Sequence, residues 1–323
     1  MGYCKMKTAL VCGAGGFIGH HLVERLKQES YFVVGIDLKR PKFTKSAADI
    51  FFIRDLRNPA SVPYFFNTYA VDEVYQMASD LGGAGYIFSG DHDADIVHNS
   101  SLININIARC AAEAKKVDKL FFPSSCCVYP KSPKKEAYIE HTAYPAEPDS
   151  AYGWEKLFSE RLYQAYQRNY GLDVRIARFF SVFGKECTWQ GGKEQAPAAI
   201  CRQVAEAKDG GVINIWGDGE QTRSYLYMDE CIDAIRLLMK NERSFEPLSI
   251  GTEGVISINK LAEMIIKISG KKLTVKHIKG STGKQKTNFG NKLLYESLDW
   301  KPSGSLEKGL AYTYAWIYEQ VQK

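Results

Sequence analysis

The stretch TALVCGAGGFIG, residues 8–19, decides the fold of this 323-residue chain. A short apolar run leads into a turn rich in glycine, and helical periodicity follows over residues 17–28. Small residues let the backbone approach a pyrophosphate, whose negative charge then lies at the N-terminus of the following helix. The stretch therefore predicts a strand, a dinucleotide-binding turn and a helix. The residues expected to contact the dinucleotide here are Gly13, Gly16, Phe17, Ile18 and Gly19.

A second β-rich run, residues 32–36, ends at Asp37, about 20 residues after the glycines. That is the distance expected for an acid that accepts hydrogen bonds from the ribose hydroxyls of adenosine. A carboxylate there would repel a 2′-phosphate, so Asp37 favours NAD over NADP as cofactor. Arg40 nearby weakens this preference slightly.

Apolar runs continue to alternate with helical stretches as far as about residue 180. This alternation predicts an α/β fold with a doubly wound parallel sheet of Rossmann type. Asp55 and Leu56 follow the third predicted strand and Ala78 follows the fourth, so we expect all three at the cofactor crevice. Beyond residue 180 glycine pairs and shorter strands predict a smaller α/β substrate domain. The predicted division is an NAD-binding domain over residues 1–180 and a substrate domain over residues 181–323, with the chain free to recross the boundary between them.

Tyr152 and Lys156 stand four residues apart at the start of a predicted helix, which places both side chains on one face. A phenol loses its proton near pH ~10, and a neighbouring ammonium lowers that value. Ser125, at the end of an apolar run, offers a second hydroxyl to a reacting oxygen. Isolated Tyr-x-x-x-Lys pairs are common on helix surfaces. Together with the glycine turn, the three residues indicate oxidation and reduction at a sugar carbon.

Charge, cysteine content and hydropathy limit the partners, metal sites and cellular locations that we expect for this chain. The formal net charge of +5 is small for this length and forms no basic stripe, so we expect no nucleic-acid partner. Eight cysteines include no Cys-x-x-Cys pair, and we expect no metal site. No apolar run approaches membrane-spanning length and no secretory leader is evident. We therefore expect a cytoplasmic protein with free thiols and no membrane association.

These features resemble the extended short-chain dehydrogenase/reductase superfamily of nucleotide-sugar epimerases and dehydratases, over nearly the whole chain. Within it the chain is most similar to the GDP-mannose 3,5-epimerase family. The strings that carry this narrower resemblance are DLGGAG (80–85), SSCCVYP (124–130), YPAEP (144–148), AYG (151–153), TWQGG (188–192), APAA (196–199), WGDG (216–219) and QTRS (221–224).

The resemblance implies a mechanism and further site residues. Tyr152 would take the proton of the sugar C4 hydroxyl while NAD takes the C4 hydride. The 4-keto intermediate acidifies the C3 and C5 hydrogens, and Cys127 would remove such a proton before C4 is reduced again. Related dehydratases place a Glu at this position, so Cys127 argues against dehydration. The family also implies a homodimer, here through helices over residues 100–115 and 152–170. Implied contacts to a nucleotide-diphosphate sugar are Gly82, Gly83, Ser181, Lys193, Gln195, Ala196, Trp216 and Arg223, the last through a bidentate fork on the diphosphate.

The chain departs from that family on the substrate side. Gln195 stands where the family has its acid, a lysine, and Lys193 two residues earlier could substitute. Ser181 replaces an asparagine, and Thr287 and Gly290 replace an arginine and an aspartate within residues 284–291. One alternative is therefore a nucleotide-sugar 4-dehydrogenase, or an epimerase acting at a single carbon of a related GDP-sugar. A non-catalytic NAD-binding regulator is a further alternative, which the intact Ser125, Tyr152 and Lys156 disfavour.

Overall fold

The structure is a computed structural model that describes residues 6–114, 116–130, 140–242, 246–280 and 292–323. The strands within these ranges are β1 (Thr8–Cys12), β2 (Phe32–Asp37), β3 (Ile50–Ile53), β4 (Glu73–Gln76), β5 (Lys119–Ser125), β6 (Val174–Phe179), β7 (Ser181–Phe183), β8 (Val212–Trp216), β9 (Thr222–Tyr227), β10 (Leu248–Ile250), β11 (Val255–Ser257) and β12 (Thr274–Ile278). The helices are α1 (Phe17–Gln28), α2 (Pro63–Thr68), α3 (Ala84–Ile87), α4 (Asp93–Glu113), α5 (Ala151–Tyr170), α6 (Ala196–Glu206), α7 (Met228–Lys240), α8 (Ile258–Ser269), α9 (Lys292–Leu298) and α10 (Leu306–Val321).

A seven-stranded sheet with the order β3-β2-β1-β4-β5-β6-β10 forms the centre of the fold, and its neighbours pair in parallel. Every residue of β4 and all but the first of β1 are buried, as expected of strands covered on both faces. The strand order reverses between β1 and β4, which opens a crevice at their carboxyl ends. The predicted Rossmann-type fold is confirmed.

Helices cover the two faces of this sheet through separate apolar cores. On one face α1 and α7 supply Leu22, Leu26 and Ile235, none of which is exposed. On the other face α4 and α5 supply Ile107 and Tyr163, also without exposed surface. Burying such side chains stabilises the fold by roughly 1.5–3 kcal/mol each. The carboxyl end of the sheet is therefore a rigid platform for side chains.

The later part of the chain forms a three-stranded sheet, β11-β9-β7, and a two-stranded sheet, β12-β8, with α6, α8 and α10 packed around a third core. Strand β10 pairs with β6, so the chain returns to the large sheet after leaving it. The predicted division at residue 180 stays a prediction. Within the described ranges, no helix has the length and apolar character to cross a lipid bilayer.

Candidate active site

The glycine turn forms a cradle that excludes side chains. The Gly13 and Ala14 amides both donate to the Ile36 carbonyl, at 2.7 and 3.1 Å. Gly13 has φ +81°, and a Cβ there would lie 2.7 Å from the Ala78 amide nitrogen. A Cβ on Gly19 would lie 2.1 Å from the Gly13 carbonyl oxygen. Helix α1 begins directly after this turn with Gly16 as its N-cap, so no side chain occupies the amides of its first turn. The cradle therefore fits a pyrophosphate.

The Asp37 carboxylate lies beside this cradle. It accepts hydrogen bonds from the Gly15 amide, at 2.9 Å, and from the Lys39 amide, at 3.2 Å. A Cβ on Gly15 would lie 2.0 Å from the Lys39 carbonyl oxygen, so only glycine permits this approach. The acid is thereby held at the edge of the turn, where a ribose would follow a pyrophosphate. The residues present fit NAD, which when bound supplies a hydride acceptor and, in its oxidised form, a positive charge.

The other predicted cofactor contacts divide into two groups. Ala78 lies against the glycine turn, as its contact with the Gly13 position demonstrates. The Asp55 carboxylate instead accepts hydrogen bonds from the Arg57 guanidinium at 2.7–3.1 Å, and these bonds lower the pKa of that carboxyl. Leu56 is buried, and its carbonyl accepts a hydrogen bond from Asn106. Asp55 can therefore contact a cofactor in one of two ways. Either the ligand binds next to the Asp55–Arg57 pair, or it replaces Arg57 as the hydrogen-bond partner of the carboxylate.

The predicted catalytic side chains lie together where β5 ends and α5 begins. Tyr152, Lys156 and Ser125 are all buried. The Lys156 ammonium donates to the Ser79 hydroxyl at 3.4 Å and lies 5.5 Å from the centroid of the Tyr152 ring. Ser125 hydrogen-bonds Tyr152, and the half-buried Cys127 packs against the small apolar cluster that contains Tyr152. The structure thus brings the four residues to one point at the carboxyl edge of the sheet.

The electrostatics of Tyr152 differ from the expectation that Lys156 lowers its pKa. Burial raises the pKa of the Tyr152 phenol well above its ordinary value, and Cys127 and Glu155 act in the same direction. The hydrogen bond with Ser125 lowers it. The Lys156 ammonium lies 3.7 Å from the fully buried Glu155 carboxylate, which offsets part of its positive charge. Without cofactor, the phenol is therefore protonated at neutral pH.

Glu155 belongs to a buried polar network that we did not predict. Its Oε1 accepts hydrogen bonds from Asn104 Nδ2, at 3.0 Å, and from Ser159 Oγ, at 2.7 Å. Asn104 in turn accepts from the Gln76 side chain at 2.8 Å. The network joins α5 to α4 and β4, and so fixes the helix that carries Tyr152. Polar residues on the inward face of α4 are the signal that indicates such a network.

Gly153, inside the Tyr-x-x-x-Lys motif, is a second residue that we did not predict. Its amide donates to the N-cap Ser150 hydroxyl, and a Cβ there would lie 2.2 Å from the Cys127 carbonyl oxygen. The absent side chain lets the turn formed by Cys126–Val128 pack on the first turn of α5. Ser125, Cys127 and Tyr152 approach one another for this reason.

A Gly153→Ala variant tests that contact. Alanine normally stabilises a helix relative to glycine by about 1 kcal/mol. Here we expect a loss of about 1–3 kcal/mol in the free energy of unfolding, because the methyl group overpacks the contact. We also expect kcat to fall at least about tenfold as the predicted catalytic groups move apart. Urea unfolding and steady-state kinetics measure the two effects. Gly254→Ala, where nothing lies within 4 Å of the added Cβ, is the control and should change neither.

Most predicted substrate contacts converge on the segment of residues 80–86. The Gly83 amide donates to the Lys193 carbonyl at 2.9 Å, and a Cβ on Gly83 would lie 3.4 Å from the Gln195 amide nitrogen. The Trp216 ring lies 3.3 Å from where a Cβ on Gly85 would stand. Gln195 is the N-cap of α6 and makes no side-chain capping bond. Gly82, Gly83, Lys193 and Gln195 thus lie together, and Ala196 opens the helix directly behind them.

Ser181 and Arg223 lie in the three-stranded sheet. Ser181 begins β7 and is the register partner of Tyr225 on β9, the strand that also carries Arg223. Arg223 Nη1 donates to the Thr222 carbonyl at 2.7 Å. Their contact with a diphosphate stays a prediction. Thr287 and Gly290 lie outside the described residues.

Comparisons with known proteins agree with this geometry. The model of the NAD dependent epimerase/dehydratase family matches residues 9–251. The chain is 39% identical to GDP-mannose 3,5-epimerase of Arabidopsis thaliana and 38% identical to GDP-mannose 3,5-epimerase 1 of Oryza sativa subsp. indica. Each alignment covers 97% of this chain and 82% of the relative. A solved structure of UDP-glucuronic acid 4-epimerase from Bacillus cereus, in complex with UDP-glucuronic acid and NAD, is 28% identical with a TM-score of 0.83, covering 97% of this chain and 99% of that one.

Proposed function

The chain belongs to the NAD-dependent epimerase/dehydratase family and is an enzyme that uses NAD, and we propose that it epimerises a GDP-sugar through a transient 4-keto intermediate. One observation carries the proposal: Ser125, Cys127, Tyr152 and Lys156 meet at the edge of the sheet that also carries the glycine cradle. A base for a hydroxyl proton and a base for a carbon proton are thereby available beside one sugar.

Each of these residues has a separate role in the proposed reaction. Ser125 and Tyr152 bind and orient the C4 hydroxyl, and Tyr152 holds its proton during oxidation. Lys156, together with the positive charge of the oxidised cofactor, favours the phenolate that burial alone opposes. Cys127 takes a proton from a carbon next to the C4 ketone. Arg223 provides a guanidinium for the diphosphate.

Substitutions on the substrate side support two alternatives. A neutral amide, Gln195, stands where the resembling family has a proton-donating lysine. An enzyme without that donor could epimerise a single carbon, or release the keto sugar as a 4-dehydrogenase. The relatives named for GDP-mannose make a GDP-sugar the first substrate to test. A regulator that binds NAD without catalysis would not need the assembled Ser125, Tyr152 and Lys156.

Solvent-hydrogen exchange distinguishes these functions. We expect the enzyme, incubated with NAD and GDP-mannose in heavy water, to place deuterium at C3 and C5 of the recovered sugar. Mass spectrometry and NMR of the product locate the label. UDP- and dTDP-sugars serve as parallel substrates and address the nucleobase.

Label at one carbon only would establish single-site epimerisation. A keto product with stoichiometric NADH and no label would establish the 4-dehydrogenase. Absence of both label and NADH with every sugar nucleotide would contradict catalysis and favour the regulator. The control is the same incubation with the Tyr152→Phe variant.

A homodimer in the cytoplasm completes the proposal. The outward faces of α4 and α5 expose large apolar side chains at helical spacing: Val97 and Ile105 on α4, and Trp154 and Phe158 on α5. Patches of this kind support a protein–protein interface. None of the seven described cysteines forms a disulfide bond, which suits a reducing compartment. Sedimentation of the wild type and of a Trp154→Glu variant tests the dimer.

A further inference from the structure

Four side chains meet where the segment of residues 80–86 faces the loop that precedes α6. Asp80 Oδ1 accepts hydrogen bonds from the Tyr86 hydroxyl, at 3.0 Å, and from the Lys193 ammonium, at 3.4 Å. Asp80 Oδ2 accepts from Asn99 Nδ2 at 2.9 Å. These four residues are called the Asp80 cluster below. Asp80 is its centre because its carboxylate is the acceptor shared by the other three.

The charges in the Asp80 cluster are partly shielded from water. The side chain of Asp80 is 20% exposed and that of Lys193 is 45% exposed. Burial alone would raise the pKa of Asp80, but the hydrogen bonds from Asn99 and Tyr86 and the nearby Lys193 ammonium outweigh it and lower that pKa. The Lys193 ammonium also lies 3.7 Å from the centroid of the Tyr86 ring, within the range of a cation–π contact. The cluster therefore holds Lys193 by a carboxylate and an aromatic face together.

The loop of residues 191–195 also contacts this segment through its backbone. The Gly83 amide donates to the Lys193 carbonyl, and Gly83 lacks the Cβ that would lie 2.2 Å from the Glu194 carbonyl oxygen. Glu194 pairs instead with Arg202 of α6. Gly191 and Gly192 have φ +96° and +86°, and nothing lies within 4 Å of a Cβ on either one. The loop can therefore change direction at these glycines, and the Lys193 side chain attaches it to Asp80 of the 80–86 segment.

We propose that Asp80 is a positioning residue that holds Lys193, and with it the 191–195 loop, against the 80–86 segment, so that the two form one wall of the sugar site. Tyr86 packs against the same apolar cluster as Tyr152 and Cys127, which places this wall beside the reacting groups. The identity of the ligand rests on the proposed function. The attachment itself rests only on the contacts of the Asp80 cluster.

Asp80→Asn is the first test, because the amide keeps the shape and can still accept from Asn99 while the charge is lost. In the NAD-loaded enzyme we expect the KM for GDP-mannose to rise about three- to tenfold, with kcat within about twofold and NAD affinity unchanged. Amide hydrogen exchange should accelerate at residues 191–195 and at Gly83, with no change in the melting temperature beyond a few degrees.

Two further variants separate positioning from general damage. Lys193→Gln should raise the KM and accelerate amide exchange in the loop, as Asp80→Asn does. Lys193→Arg should return both quantities close to their wild-type values, because a guanidinium can also pair with the carboxylate. In the double variant Asp80→Asn/Lys193→Gln the rise in KM should not exceed that of the worse single variant. Asp233→Asn, which removes a 2.6 Å ion pair with Arg25 elsewhere on the surface, is the control and should change none of these measurements.

Additive effects in the double variant, or unchanged loop exchange in both single variants, would overturn the proposal. A fall in kcat at constant KM would do the same. If Asp80→Asn does not fold, the KM, kcat and amide exchange of the loop are measured on Lys193→Gln and Tyr86→Phe instead. If the wild type converts no nucleotide sugar, the proposed function fails, and the amide exchange still decides whether Asp80 holds the loop.

Discussion

Tyr152→Phe is expected to reduce kcat at least about a thousandfold while NAD affinity stays within about twofold. General acid–base groups contribute about 10²–10⁴ to the rate, and in the proposed mechanism this phenol serves both the oxidation and the reduction of C4. Phenylalanine keeps the buried ring and its packing, so the fold should persist. Single-turnover formation of NADH measures the chemical step, and calorimetric titration with NAD measures binding.

Tyr166→Phe provides the matched control, because it removes a half-buried phenol from the same helix that carries the buried Tyr152. Tyr166 stacks on Tyr170, with ring centroids 5.2 Å apart, and lies three turns beyond the catalytic pair. Its kcat should stay within about twofold of the wild type. Turnover by Tyr152→Phe at more than a tenth of the wild-type rate would assign the proton transfer to another group.

Much of the fold is predictable because its local signals agree with its tertiary structure. The predicted bounds of α1, residues 17–28, coincide with those observed, since the glycine turn supplies its N-cap, Gly16, and leads directly into it. Helix α4 begins at Asp93, seven residues before the predicted start at residue 100. Its first two turns contain Asn99 and other polar residues that disfavour helix locally. Asn99 bonds Arg57 and Asp80, so tertiary contacts extend the helix.

The residues of the candidate site are predictable from the sequence. The pKa shifts within the site and the contacts that form its walls depend on tertiary structure. The motif identifies Tyr152 and Lys156, but burial and the position of Glu155 reverse the expected direction of the phenol's pKa. No local pattern pairs Asp80 with Lys193, which stand 113 residues apart. Similarly, the sequence does not reveal why residue 153 is glycine. The reason is a tertiary contact, because a Cβ at Gly153 would collide with the Cys127 carbonyl oxygen.

Cys127→Ala is expected to stop hydrogen exchange at the sugar carbons while oxidation at C4 survives. We expect deuterium incorporation at C3 and C5 to fall at least about a hundredfold, because alanine cannot accept a proton. In the proposed mechanism the C4 reaction uses Ser125 and Tyr152, which remain in place, so NADH should still form in a single turnover. The 4-keto sugar should then accumulate, and borodeuteride trapping followed by mass spectrometry would detect it.

The adjacent thiol supplies the matched control, since Cys126 and Cys127 are both half-buried in the same short turn. Cys126→Ala should leave exchange within about twofold of the wild type. Equal loss of exchange in both variants would mean that the turn itself was disturbed, and thermal unfolding would detect that disturbance. Undiminished exchange in Cys127→Ala would place the carbon base elsewhere, and Lys193 would be the next group to replace. Loss of NADH formation together with exchange would show that Cys127 supports the Tyr152 hydroxyl rather than a carbon proton.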